Sequence, residues 1–239
     1  MNPINNPKES IFSSSIRSFC NAFFCVLGII LCFYVIGFIM QLGVGSDSSK
    51  TSFVIQPDAD GKRTSLQASS PIILKITIDG IIGTGELITS AIETTLLDSR
   101  EDRLKNNRVK AIFLHVDTPG GTVTDSNGIY EALMAYKTKY NIPIFAFVDG
   151  TCASGGMYIT SAADRIYASS VSVVGSVGVI LGPVFNFYDL MDNWGIKSKT
   201  ISKGKDKTML NPFTKWQPGE DDSLYKMTDY LYEHFISIV

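Results

Sequence analysis

Two short apolar runs, Val109–Val116 (VKAIFLHV) and Pro143–Val148 (PIFAFV), constrain the fold of this chain more than any other feature. Runs of this length without polar alternation are expected of strands buried on both faces of a parallel sheet. The surrounding sequence completes the pattern. Ile72–Ile78 reads as a strand closed by Asp79-Gly80, and 86–98 as a helix with Leu87, Ile88, Ala91, Ile92 and Thr95 at helical spacing. A second helix covers 125–139, with Ile129, Leu133 and Tyr136 on one side, and a short one follows over 155–163. Arg165–Ala168, the Gly-rich run Val173–Leu181 and a late strand Ile196–Ile201 come next, then a helical segment Tyr225–Val239. Such alternation predicts an α/β domain with mostly parallel pairing.

Ahead of that domain, Phe19–Met40 is apolar apart from Asn21. As a helix it is about 33 Å long, enough to cross the hydrocarbon core of a bilayer. It exceeds the apolar stretch of a cleaved signal peptide and lacks a small-residue cleavage site after it. The expected organisation is a cytoplasmic segment 1–18, a transmembrane anchor 19–41, a flexible Ser/Gly/Asp/Lys-rich linker 42–70 and a folded domain 71–239. Lys8 and Arg17 precede the span and Lys50 follows it. That bias favours a single-pass protein of the bacterial inner membrane with its domain on the outer, periplasmic side.

Lys plus Arg number 21 against 23 Asp plus Glu, a net charge of −2. This balance gives no electrostatic drive toward nucleic acid. Cys20, Cys25 and Cys32 lie in the apolar run and Cys152 far from it, which is neither a disulfide framework nor a metal spacing. All four read as packing residues.

In open α/β sheets, chemistry gathers at the carboxyl ends of strands. VKAIFLHV runs into Asp117-Thr118-Pro119-Gly120-Gly121-Thr122, whose N–H groups can converge on an anion, although a plain Pro-Gly turn reads the same way. PIFAFV runs into Asp149-Gly150-Thr151-Cys152-Ala153-Ser154-Gly155-Gly156. Ser154 thus falls at a strand-to-helix turn between small neighbours, where a hydroxyl is accessible and a helix N-terminus favours a developing oxyanion. The competing reading is a helix N-cap.

A serine nucleophile needs a proton acceptor. His115 lies within a strand and His234 in an aromatic-rich helix, so a histidine triad is poorly supported. A lysine serves if burial strips its proton. The segment Lys203-Gly204-Lys205-Asp206-Lys207 supplies three, and periodicity does not choose among them or against a solvated loop.

The segments HVDTPGGTV, DGTCASGGMYITSAADRIYA, SVVGSVGVI and GKDKTMLNPF, in this order behind an apolar N-terminal run, resemble the signal peptide peptidase A family of serine peptidases over roughly residues 72–239. The resemblance implies Ser154 as nucleophile, Lys207 as general base and Ser176 as the residue orienting that lysine. It implies an oxyanion hole from Gly155 with Gly120 or Gly121, and no metal or cofactor. It further implies a Clp-protease/crotonase-like superhelix of β-β-α repeats, peptide substrates such as signal peptides, and a homo-oligomer in which serine and lysine come from one subunit or from neighbours. Family members continue well past the equivalent of Val239, so the domain is expected to be truncated at its C-terminus. Two other readings stand beside this one: a crotonase-like acyl-CoA enzyme, and an inactive membrane scaffold.

Overall fold

The computed structural model describes residues 11–43, 51–58, 60–67, 69–204 and 206–239. The chain divides into two compact units, Met1–Lys50 and Thr51–Val239. In the first, α1 (Ile11–Gly43) is one continuous helix with Phe19, Phe24 and Leu31 exposed. Within α1 the described side chains are those of 16–29, 31, 32 and 35. Among the described residues no helix is long and apolar enough to cross a membrane.

The second unit is built on five parallel strands: β1 (Ile72–Ile82), β2 (Val109–Gly121), β3 (Ile144–Ala153), β4 (Arg165–Ala168) and β5 (Val173–Gly175). Their order is β1-β2-β3-β4, and β5 pairs with the end of β3. Parallel neighbours need crossovers. Helices α2 (Thr89–Asp98), α3 (Val123–Tyr140) and α4 (Gly155–Thr160) supply the first three. They bury Leu74, Ile76, Ile78, Ile112, Leu114, Val116, Ile144, Ala146 and Val148 in one core with Ile129, Leu133 and Ile159. Each large side chain so buried contributes about 1.5–3 kcal/mol.

The opposite sheet face differs from the sequence expectation. Phe113, His115, Phe145 and Phe147 alternate with the core residues and are only half-buried, while Lys75, Thr77, Arg165 and Tyr167 beside them are exposed. These strands are thus not buried on both faces within this chain. Apolar residues occur on both sides of β2 and β3, so alternation cannot be seen in their sequence.

Other elements shift for local reasons. The strand of VKAIFLHV continues through Pro119 to Gly121, because the β1–β2 register slips between Asp79 and Ile81 and leaves an irregular step for a residue without an N–H. Residues 86–88 precede α2, with Thr84 and Leu87 forming an isolated bridge. The run 173–181 yields only three strand residues, ending at Gly175 (φ 147°) and Ser176 (φ 58°), where the chain leaves the extended region. The late strand expected at 196–201 is absent: those residues are irregular and exposed. A short helix not foreseen, α5 (Tyr188–Asn193), precedes them, and α6 (Asp222–Ile238) closes the chain. Of the spacer expected at 42–70, residues 44–50, 59 and 68 lie outside the described set. Its described part is irregular but tethered: Thr51 N donates to Asp98 Oδ2 (2.8 Å), and Arg108 Nε and Nη2 donate to the Ser70 and Gln67 carbonyls at 3.0 and 2.9 Å.

Candidate active site

Strand β3 forks where its polar sequence begins. Phe145–Val148 pair with β4, whereas Thr151–Ala153 pair with β5. The fork delivers Ser154 to the lip of the sheet as the residue before α4. Its φ of 51° and ψ of −118° lie where non-glycine residues are rarely held without constraint. The constraint is visible: Ser154 N donates to Gly175 O at 3.0 Å, and Tyr158 N donates to Ser154 O at 3.2 Å. The Ser154 side chain makes no capping hydrogen bond. The N-cap reading of this serine therefore fails, and its half-buried hydroxyl is left uncommitted to the helix.

The Pro-Gly-Gly end of β2 lies directly against this turn. A Cβ on Gly120 would sit 2.8 Å from Ser154 Cβ and 2.9 Å from both Ala153 O and Gly155 N. A Cβ on Gly156 would sit 2.7 Å from Thr118 Cγ2. Only backbone without side chains lets the two loops approach this closely. Thr118 is fully buried, accepts from Gly120 N at 3.0 Å and donates to Gly80 O. Gly120 N–H is therefore already engaged. Gly155 N–H opens the first turn of α4, where backbone donors lack intrahelical acceptors.

Of the residues singled out in the sequence, Ser154, Gly155, Gly120 and Gly121 come together. Ser176 is exposed and follows Gly175, the residue paired with Ala153 and bonded to Ser154 N, so it stands level with the Ser154 turn. Lys207 is not brought in. It is exposed in the turn 206–210 and has no hydrogen bond to Ser154. Lys205 lies outside the described residues.

The histidines take the roles expected of them. His115 Nε2 is 3.3 Å from Asp149 Oδ2, and His234 stacks on Tyr230 and lies tilted against Tyr158. Neither bonds to Ser154. Cys152 is fully buried with Sγ 3.6 Å from Thr160 Oγ1, and burial pushes its thiol up from the ordinary cysteine value. It packs. Among the described residues no cluster of His, Cys, Asp and Glu could hold a metal ion.

Sequence reasoning missed Thr118 and the polar first turn of α3. Thr122 caps α3 by accepting from Asp125 N at 3.2 Å, and Asp125 is held by Thr89 and Thr122. The backbone hydrogen bond from Thr89 foremost, then the Thr122 hydroxyl, holds the Asp125 carboxyl below the usual carboxylate value. The Thr-x-x-Asp spacing, a relative of the capping box, was the available signal.

The site is thus a strained, uncapped serine at the end of the third strand of a parallel sheet, set against a Pro-Gly-Gly strand end in an α/β domain. The model of Peptidase family S49 matches residues 136–239, and that of the NfeD1b N-terminal domain matches 85–183. The chain is 31% identical to a candidate signal peptide peptidase SppA of Enterococcus faecium, over 72% of this chain and 51% of that protein. It is 32% identical to a candidate protease of Synechocystis, over 70% of this chain and 57% of that one. It is 31% identical to protease 4 of Salmonella typhi, over 62% of this chain and 23% of that one. Among solved structures it is similar to a mutant of the 1510-N membrane-bound stomatin-specific protease in complex with a substrate peptide, with 23% identity, 48% coverage of each chain and a TM-score of 0.39. The match to Peptidase family S49 lies over residues 136–239, and proteins named signal peptide peptidase and protease 4 are among those the chain is similar to. The chain spans about half the length of the first two of these relatives, at 51% and 57%.

Proposed function

We propose that this protein is a serine endopeptidase in which Ser154 is the nucleophile and Lys207 the general base. One observation carries the reading: Ser154 is held at φ 51° with its hydroxyl uncapped, against the backbone of Gly120 and Gly155. In acylation the neutral Lys207 amine takes the Ser154 proton as Oγ attacks the peptide carbonyl carbon, and the carbonyl electron pair moves onto oxygen. That oxyanion rests on the N–H groups of Gly155 and Gly121. Gly121 is the better second donor because Gly120 N–H already serves Thr118 Oγ1. Collapse breaks the C–N bond, the leaving amine takes the proton from Lys207, and water then releases the acyl group by the reverse sequence of proton transfers.

A lysine base must lose its proton near neutral pH, which requires burial. Lys207 is exposed in the single chain. A second copy therefore covers it, and the exposed Ile180 (87%), Trp194 (79%) and Ile201 (87%) offer apolar surface for that contact. In this assembly Ser176 orients the lysine, and the sheet is the core of a Clp-like β-β-α superhelix. The apolar helix over 19–41 anchors the protein by a single pass in the bacterial inner membrane, with the domain on the outer side and apolar peptides such as signal peptides as substrates. The relative in Enterococcus faecium, named as a signal peptide peptidase, supports that substrate class.

The test is turnover of a fluorogenic apolar peptide by Ser154→Ala and Lys207→Ala proteins. Both are expected to lose activity with unchanged thermal unfolding. Retention of turnover by either refutes the pair.

A further inference from the structure

The nucleophile turn and the Pro-Gly-Gly strand end belong to different elements, so their spacing depends on what lies between them. Ser126, in the first turn of α3, lies there at 2% exposure. On one side its Oγ donates to Thr122 O at 2.7 Å and its N–H to the same oxygen at 3.1 Å. On the other side, a Cβ on Gly155 would fall 2.2 Å from Ser126 Oγ and 3.1 Å from Ile82 Cδ1. Ser126 thus touches the carbonyl of the residue after Gly121 and the Cα of Gly155.

Thr122 is itself fixed from three directions. Its N–H donates to Ile82 O at 3.0 Å, and its Oγ1 donates to Asp125 Oδ2 at 2.8 Å. A Cβ on Gly83 would fall 2.5 Å from Thr122 Cγ2. Asp125 Oδ1 also accepts from Thr89 N at 3.0 Å and Thr89 Oγ1 at 3.1 Å. One carboxylate therefore ties the start of α2, the cap of α3 and the end of β2 together, and Ser126 transmits that frame to Gly155.

We propose that Ser126, braced by Thr122 and Asp125, is a positioning residue that sets the spacing between the backbone donors of Gly121 and Gly155. It touches no substrate and acts only through where those two N–H groups point. The inference rests on the Ser154 reading above. Serine suits the position sterically and chemically: its oxygen is small enough to lie on the Gly155 Cα and also donates to Thr122 O. Valine puts a methyl group in place of that oxygen, loses the donor and pushes the Gly155 turn away.

The test compares Ser126→Val and Thr122→Val with wild type in peptide turnover and in inhibition by a peptide aldehyde and its matching alcohol. The aldehyde carbonyl carbon bonds to Ser154 Oγ and places its oxygen in the hole, whereas the alcohol binds without using it. In Ser126→Val, kcat is expected to fall about 100-fold, as for a donor misplaced by about 1 Å. KM and alcohol affinity stay within about twofold, and the aldehyde-to-alcohol affinity ratio falls with kcat. Thr122→Val, at an exposed position, changes in the same direction by about tenfold and decides the matter if Ser126→Val does not fold. Folded variants with wild-type kcat and affinity ratio overturn the proposal. So does a loss confined to KM and alcohol affinity. A wild-type protein that neither turns over peptide nor prefers aldehyde to alcohol overturns the Ser154 reading itself, and this inference with it.

Discussion

Replacing Gly120 by alanine should damage the protein through two separable effects. Gly120 has φ 100°, so an L side chain there is strained. Holding a non-glycine residue in such a region costs about 1–3 kcal/mol. The new methyl also meets Ser154 Cβ at 2.8 Å and backbone atoms Ala153 O and Gly155 N at 2.9 Å each. Two of those three atoms are backbone and cannot rotate away, so overpacking adds about 1–3 kcal/mol. The expected loss is about 2–6 kcal/mol, or roughly 5–20 °C in Tm for a domain of this size. Gly85→Ala is the internal control, with φ 57° and nothing within 4 Å of its added Cβ. It carries only the conformational cost of a left-handed residue, about 1–2 kcal/mol. Thermal and denaturant unfolding of both variants, with fluorophosphonate labelling of Ser154 in parallel, separate the contact from the strain. Equal destabilisation by the two, with wild-type labelling in Gly120→Ala, would refute the close approach of the Pro-Gly-Gly strand to the nucleophile turn.

Further predictions concern charge and packing. The Asp125 carboxyl is held low, first by the Thr89 backbone N–H, so it contributes stability above its ordinary value of 3.8 that is lost as pH falls through the lower folded value. Asp125→Asn should flatten the acid side of the stability curve below pH 3.8, and an unchanged curve in a titration-unfolding series contradicts this. Asp164, held low first by the Lys137 side chain and also accepting from Ile144 N at 2.8 Å, should behave with the same sign in Asp164→Asn. The Arg100 guanidinium lies 3.8 Å from the Tyr140 ring centroid and 4.6 Å from that of Tyr136. Arg100→Met, which keeps a long apolar stem but no cation, should cost about 1 kcal/mol in denaturant unfolding, and no loss would remove the cation–π account.

The strands β1 to β3 and their parallel pairing were legible because Ile72–Ile78, Val109–Val116 and Pro143–Val148 are short and apolar between turn residues. What could not be read was which face of each strand is covered, since Phe113, Phe145 and Phe147 look like core residues whether or not anything packs on them. The segment 196–201 reads as a late strand, but a strand requires a ladder partner, and none lies beside it among the described residues. Ser154 was legible as a residue at a strand-to-helix turn between small neighbours. Its freedom from capping was not, because that depends on φ and ψ at one position, which the β5 contact through Gly175 imposes from outside the motif. Lys207 could be chosen only by resemblance, since the burial that makes a lysine a base comes from tertiary or quaternary packing rather than local sequence. Ser126 escaped notice because a serine in the first turn of a helix looks like solvent-facing helix, and only the approach of Gly155 gives it meaning.

The central claim is that one amine activates one hydroxyl, and modification of Ser154 reads this most directly. The protein, treated with a fluorophosphonate at neutral pH and mapped by mass spectrometry, should carry the label on Ser154. Lys207→Ala should label about 100-fold more slowly or worse, the scale of a lost general base. Wild-type labelling rates in Lys207→Ala, or a label confined to another residue, would contradict the account.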